Sequence, residues 1–295
     1  MLTYYSIQEM VDVAEKTGKK ISEIVLEDQV ISTQRTREEI LAEMVKSYEV
    51  MKEPFDKKGG GPRKSMTGLT GNNAELLKQG VKEKKTLVGG FFSEVLIKSL
   101  TIAEHNAGMG RIVAAPTAGA SGILPAMIMT IEKKKMATTE QVIMSMFTAG
   151  AVGMVFSNKA SISGAEGGCQ AECGTAAAMA AAAAVELRDG NPRQVANAAA
   201  LAIKNLMGLV CDPVCGLVEV PCVKRNAGSS AVAMAAAEMA LAGISSMIPI
   251  DEVIDAMREV GQSMPQALKE TAGGGLAATK TARKLEEIIL SNSKK

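Results

Sequence analysis

Tryptophan is absent from this 295-residue chain, histidine occurs once, and aromatic residues make up only 3% of it. So few rings leave little to stack on bases, and a formal net charge of +1 without a basic stripe gives no electrostatic footprint for nucleic acid. The N-terminus, Met1-Leu-Thr-Tyr-Tyr-Ser-Ile-Gln-Glu-Met, lacks a basic region followed by an apolar one. It does not read as a secretory signal, and the expected compartment is the cytoplasm. No membrane partner is expected either. The most membrane-like stretch, Ala227 to Ile250, is mainly Ala, Gly, Ser and Met with Glu238 inside it, which suits a tightly packed buried helix. Strand signals are weak throughout.

What is abundant is alanine at helical spacing and an apolar fraction of 47%, enough for a substantial core. Residues 6 to 52 carry helical periodicity with many charges, with Ile21, Ile24, Val25 and then Ile40, Leu41, Met44, Val45 spaced for apolar faces. They predict a pair or trio of amphipathic helices, an N-terminal segment (1–56) packing on the core. From 57 to 73 glycine and proline break any regular ladder, so a Gly-rich loop is expected. Residues 74–295 then read as an all-α catalytic domain. Its helices are expected at 90–107, 122–135, 139–157, 169–188, 192–208, 225–246 and 251–268.

Four joints between those helices are long and rich in Gly, Ser, Thr, Asn and Pro: Asn106 to Gly122, Asn158 to Gly168, Cys211 to Asn226, and Thr271 to Thr281. Ordinary helix connections run about 2 to 8 residues, so these read as site-building loops. Pro116-Thr-Ala-Gly-Ala-Ser-Gly precedes a helix opening near Ile123, where amide groups and the Thr117 and Ser121 hydroxyls could converge on a carboxylate. Ser161, Ser163, Gly164, Gly167 and Gly168 form a second such turn before Cys169. The 19 methionines read as core fillers.

Five cysteines, an odd number in an expected reducing compartment, point to metal binding or catalysis rather than a disulfide framework. Spacing alone leaves two arrangements open. Cys169-x3-Cys173 and Cys211-x3-Cys215 are short pairs of the kind a four-cysteine zinc centre uses, which would make the chain a zinc-stapled helical interaction subunit. Alternatively, cysteines within the polar loops serve a reactive centre.

Four segments carry a resemblance. Arg111-Ile-Val-Ala-Ala-Pro-Thr-Ala-Gly-Ala-Ser-Gly-Ile-Leu-Pro, Ser163-Gly-Ala-Glu-Gly-Gly-Cys-Gln-Ala-Glu, Cys211-Asp-Pro-Val-Cys-Gly-Leu-Val-Glu-Val-Pro-Cys and Met264-Pro-Gln-Ala-Leu-Lys-Glu-Thr-Ala-Gly-Gly-Gly-Leu-Ala look like the α chain of bacterial iron-sulfur-dependent L-serine dehydratases. The likeness runs in order over most of the chain. It implies a [4Fe-4S] cluster on Cys169, Cys211 and Cys222, with Cys173 and Cys215 outside the ligand set. It also implies an iron free to act as Lewis acid on the serine hydroxyl, with no pyridoxal phosphate, and release of pyruvate and ammonia. A related cluster enzyme removing sulfide from L-cysteine is the nearest alternative, because a thiol would bind an open iron similarly.

The best candidates for the substrate cavity are Thr117, Ala118, Gly119, Ser161, Ser163 and Asn226. Lys159 and Glu166 are the candidate proton carriers, with Glu172 and Asp212 as further possibilities beside the cluster motifs. Glu172 reads equally well as a residue that hydrogen-bonds its own turn. His105 reads as a surface or packing residue, Lys204 and Lys224 as solvated charges, and Arg111 and Arg225 as groups that neutralise a carboxylate or pair with nearby acids. In single-chain relatives a fused N-terminal domain carries a Ser-Ser-His-Thr-like motif that contributes to the active site. This sequence has none, so the resemblance implies a separate β chain that supplies it.

Overall fold

The computed structural model describes residues 2–56 and 64–292, and among them thirteen α-helices and no strands, an all-α fold. Three helices open the chain: α1 (Ile7–Thr17), α2 (Ile21–Thr33) and α3 (Arg37–Lys52). Local chemistry sets their ends. The Ser6 side chain accepts from the Glu9 amide at the start of α1, Gly18 closes it at φ 66°, and Thr36 with Glu39 forms a reciprocal capping box on α3. Part of the Gly-rich segment, residues 57–63, lies outside the described residues. Lys64 and Gly71 pair across a turn before α4 (Asn73–Lys82) begins.

The remaining helices are α5 (Gly90–Ala107), α6 (Ile123–Lys133), α7 (Thr139–Lys159), a single turn α8 (Gly164–Gly167), α9 (Thr175–Leu187), α10 (Pro192–Lys204), α11 (Cys222–Leu241), α12 (Ile250–Ser263) and α13 (Lys280–Asn292). Helix α9 is the centre of the fold. Every residue from Thr175 to Leu187 is buried, and the helix packs on α6, α7, α10 and α11. An alanine surface lets four helices approach one axis closely, and alanine also has the best intrinsic helix propensity.

The N-terminal helices share this core. Ile7, Met10, Ile21, Val25 and Leu26 belong to the same apolar cluster as Ala180 and Val185. The Asp251 carboxylate on α12 accepts from the Ser6 hydroxyl at 2.7 Å and the Ile7 amide at 2.9 Å, capping α1 from across the fold. Helix α7 is long and apolar enough to cross a membrane by length and composition alone, yet 67% of its apolar window is buried against neighbouring helices.

Several boundaries depart from the sequence-based expectation. The segment expected as one helix over 169–188 is helical from Cys169 to Leu187, with its first turn wound as a π-helix at Gln170–Gly174 before α9. The helix expected to run to 268 stops at Ser263, because Pro265 cannot donate to a continuing helix, and the chain resumes as a 3-10 turn at Gln266–Leu268. Helix α10 ends at Lys204 rather than 208, where Gly208 takes φ 83°. Helix α11 starts at Cys222 and ends at Leu241 rather than spanning 225–246. One face of α11 is exposed at Lys224, Gly228, Ala235 and Glu238, so it is a half-buried helix and not an enclosed one.

Candidate active site

Three of the four long joints meet at the N-terminal ends of α9 and α11. Cys169 is the residue from which the π-turn springs, Cys222 is the first residue of α11, and Cys211 lies on the loop after α10. That loop is braced by a non-local pairing. The Cys211 amide donates to Leu268 O at 2.9 Å and the Glu270 amide donates to Cys211 O at 2.7 Å, which lays the fourth motif beside the third. Leu276 N then donates to Asp212 Oδ2 at 2.7 Å. Gly275 is required at this approach: its φ is 58°, and a Cβ there would fall 2.4 Å from that same oxygen.

The thiols of Cys169, Cys173 and Cys211 are buried and that of Cys222 is partly so. Cys173 Sγ lies 3.4 Å from Cys169 Sγ, one turn further on. That hydrogen bond lowers the Cys169 pKa, with help from the Arg225 guanidinium, and raises that of Cys173. Burial, then the negative charge of Cys169 and Glu172, pushes Cys222 up to about 12, and the same causes raise Cys211. Arg225 is the local cation. Burial works against its charge, but Cys169 and Asp212 outweigh burial and raise its pKa, and its Nη2 sits 2.8 Å from Asp212 Oδ1.

Cys215 stands apart. It takes φ 58° in a short turn, and the charges that act on its thiol are Glu286, Glu219 and Arg283 rather than the other cysteines. The two short pairs therefore do not assemble into a four-cysteine zinc centre. Among the described residues no three His, Cys, Asp or Glu side chains converge at the radius of a single metal ion. The Cys169, Cys211 and Cys222 donor set fits a larger group: three thiols close enough for one thiolate to raise its neighbours, with one guanidinium beside them. Soft thiolate donors of this kind suit an iron-sulfur group.

The loop between α5 and α6 closes over this set. Thr117 Oγ1 donates to Glu172 Oε1 at 2.7 Å, and Glu172 Oε2 lies 3.9 Å from Cys211 Sγ. Gly119 and Gly164 flank the same carboxylate, and a Cβ on Gly164 would meet Glu172 Oε2 at 2.7 Å and Cys211 Sγ at 2.9 Å. Burial raises the Glu172 pKa against the Thr117 hydrogen bond, and the charge of Glu270 adds to the rise. The sequence offered Glu172 only as one of several acids near the motif. Its position opposite Thr117 depends on the π-turn, for which the sequence carries no signal.

The other expected site residues divide sharply. Asn226 is near the set, but its amide is committed to the scaffold. Its Nδ2 donates to Gly119 O at 2.7 Å and to Cys222 O at 3.0 Å, and its Oδ1 accepts from Gly122 N at 2.9 Å. It pins the 117–122 turn to the Cys222 end of α11. Ala118 lies within that turn, its carbonyl accepting from Ser121 Oγ and Asn106 Nδ2. Ser163 stands at the N-cap position of α8 without a side-chain capping bond, whereas Ser161 Oγ is occupied with Glu166 Oε2 at 2.6 Å.

Glu166 is exposed, and Lys159 is tied to α12 through Asp255 at 3.1 Å and Asp251 O at 3.1 Å. Neither joins the thiols, because each already has a local partner. Arg111 pairs with Glu53, Lys204 bonds Ser246 on the surface, and Lys224 is exposed. His105 is buried in the last turn of α5 with its ring against Gly110, a packing position. A cavity of about 600 Å³ between α4 and α5, lined by Glu94 and Lys98, lies away from these loops.

The family model described as "Serine dehydratase alpha chain" matches residues 16–277, which include Cys169, Cys211, Cys222 and the 117–122 turn. The chain belongs to this family. It is 48% identical over 290 residues to the probable L-serine dehydratase, alpha chain, of Bacillus subtilis, covering 98% of this chain and 96% of that one. It is 41% identical over 287 residues to the L-serine dehydratase, alpha chain, of Peptoniphilus asaccharolyticus, covering 96% and 97%. An L-serine dehydratase of Mycobacterium tuberculosis is 39% identical over 284 residues, and there the match covers 94% of this chain but 61% of the longer protein.

Proposed function

We propose that the chain is the α subunit of an L-serine dehydratase, converting L-serine to pyruvate and ammonia together with a β chain. The observation that carries this reading is the meeting of Cys169, Cys211 and Cys222 with the Thr117–Gly122 turn and Glu172, within a chain whose full-length relatives bear that name. Cys169, Cys211 and Cys222 would hold a [4Fe-4S] group. When bound, that group supplies a Lewis acid at the iron without a protein ligand, which eases departure of the substrate hydroxyl.

The chain's own residues bind and orient. The Thr117–Gly122 turn, fixed by Asn226 and joined to Glu172 through the Thr117 hydroxyl, would lie beside the substrate. Arg225 holds negative charge at the thiols, and Asp212 holds Arg225. Lys159, Glu166 and His105 are engaged elsewhere, which supports a partner chain as the source of the group that removes the α-proton.

The test is an anaerobic pyruvate assay with L-serine, L-threonine and L-cysteine, with and without the β chain. Pyruvate and ammonia from L-serine, in a brown protein with about four irons per chain, support the reading. Sulfide from L-cysteine without turnover of L-serine replaces it with the desulfidase. A colourless, inactive protein with one tightly bound zinc overturns both.

A further inference from the structure

We propose that the outer face of α11 is a self-association surface, on which a second copy of this chain docks antiparallel about a twofold axis at Ala231. The surface is built around an apolar groove of about 530 Å³, walled by Phe91 and Phe92 of α5, Met136 after α6, and Met234 and Ala235 of α11. Leu87 and Val88, just ahead of the two phenylalanines, are exposed as well. Apolar side chains gathered in this way mark contact with another macromolecule rather than with water. Along the groove, Lys224, Gly228, Ala231, Ala235 and Glu238 recur at spacings of four and three and so share one face of α11. All of them are exposed except Ala231, which is partly so. Gly228 is not explained by the chain's own packing. Glycine inside a helix is less stable than alanine, yet a Cβ at Gly228 would meet nothing within 4 Å. Its use is external, because small side chains at a contact let a second helix axis come closer.

The charges at the two ends of the face choose the occupant. Lys224 and Glu238 stand seven residues to either side of Ala231, and neither has an ion-pair partner among the described residues. In an antiparallel pair centred on Ala231, Lys224 of each copy comes opposite Glu238 of the other, so the surface carries both halves of its own complement. A parallel pair would set Lys224 against Lys224 and Glu238 against Glu238, which is unfavourable at both ends. Crossing near 20°, the class of angle at which long helices stay in contact, keeps both ion pairs within reach. Gly228 of one copy then faces the turn that carries Ala235 of the other, and the apolar groove beside that turn is covered. Ala235 lies thirteen residues beyond Cys222 on α11, about 20 Å at the rise of an α-helix, so the groove is clear of the cysteine loops.

The test is the molar mass of the anaerobically purified chain, by light scattering and sedimentation velocity, alone and with its β chain. The chain alone is expected at twice its 30.8 kDa, and its complex with the β chain is expected to hold two copies of it. Lys224→Glu and Glu238→Lys each set like charges opposite one another at both ends, and each is expected to weaken self-association by about tenfold or more. Combining the two changes in one chain restores the dimer. Mixing the two single variants does so too, because one then supplies two acidic ends and the other two basic ends, a recovery that only the antiparallel pairing gives. Ala235→Glu places a charge in the groove at an exposed position and is expected to leave a monomer with the circular dichroism of the native fold. A wild-type chain that stays monomeric at micromolar concentration, or a dimer unchanged by the charge reversals, overturns the proposal. So does a monomeric chain that loses its β chain on Ala235→Glu, since the β chain is then the occupant. None of these outcomes depends on pyruvate formation, so the proposed function is tested separately.

Discussion

The sulfur atoms of Cys169 and Cys173 lie 3.4 Å apart on one turn of the chain, and both are buried. The two residues differ in what their substitution removes. Serine at 169, 211 or 222 is expected to abolish both iron content and activity. Cys173→Ser keeps a hydrogen-bonding group beside Cys169 and is expected to retain most of the iron, as is Cys215→Ser on its separate turn. Iron and sulfide analysis of the five anaerobically purified variants decides; equal loss in all five would contradict this division.

Gly164 sets the clearance between the acid and the thiol. Gly164→Ala inserts a Cβ 2.7 Å from Glu172 Oε2 and 2.9 Å from Cys211 Sγ, so activity is expected to fall by about tenfold or more while circular dichroism stays that of the native fold. Gly150→Ala on α7 meets nothing within 4 Å and removes backbone freedom from a helix interior, so it is expected to stabilise by about 0.5–1 kcal/mol at unchanged activity. Paired kinetics and thermal unfolding of the two variants provide the comparison.

The Arg225–Asp212 pair is a structural charge pair with exposures of 17% and 4%, so breaking it strands a carboxylate away from water. Arg225→Gln is expected to cost about 3 kcal/mol by chemical denaturation, and Arg225→Gln with Asp212→Asn together less than that. A double variant less stable than the single one would show that the pair does not act as a unit.

Away from these loops, Glu94 carries the acid-side stability. Burial would raise its pKa, but hydrogen bonds from Lys133 and Lys98 prevail and bring it to about 2, from the ordinary 4.5. A carboxylate depressed on folding contributes stability above its unfolded value, and that contribution is lost as the pH falls from about 4.5 toward 2. Glu94→Gln is expected to be less stable at pH 7, because Lys98 stays buried without its partner, and to lose less on acidification. Urea midpoints between pH 7 and pH 2.5 test the difference in slope.

Local rules read well in this chain where the determinants are local. The helix at 90–107 and the starts at 139 and 192 are recoverable because periodicity and capping act within a few residues. The π-turn at Gln170–Gly174 is not recoverable, since its composition suits an ordinary helix and its cause is the tertiary setting. The same holds for the partners of Asn226, Lys159 and Glu172. Asn226 bonds across to Gly119 and Gly122, and Lys159 reaches α12, so their sequence neighbours do not reveal what they touch. Resemblance singled out the cysteines that resist a pairing rule, and the structure added why Cys215 belongs elsewhere.

The alanine column of α9 has a mechanical meaning for the cysteines mounted at its end. Alanine has no rotamers to exchange, so a helix of such residues holds its neighbours at one distance and not at a distribution of distances. Cys169 leads into that column through the π-turn and Cys222 opens a helix that leans on it, so the gap between them is set by backbone against backbone. The column works as a fixed-length strut, insensitive to the thermal rearrangement that longer side chains allow.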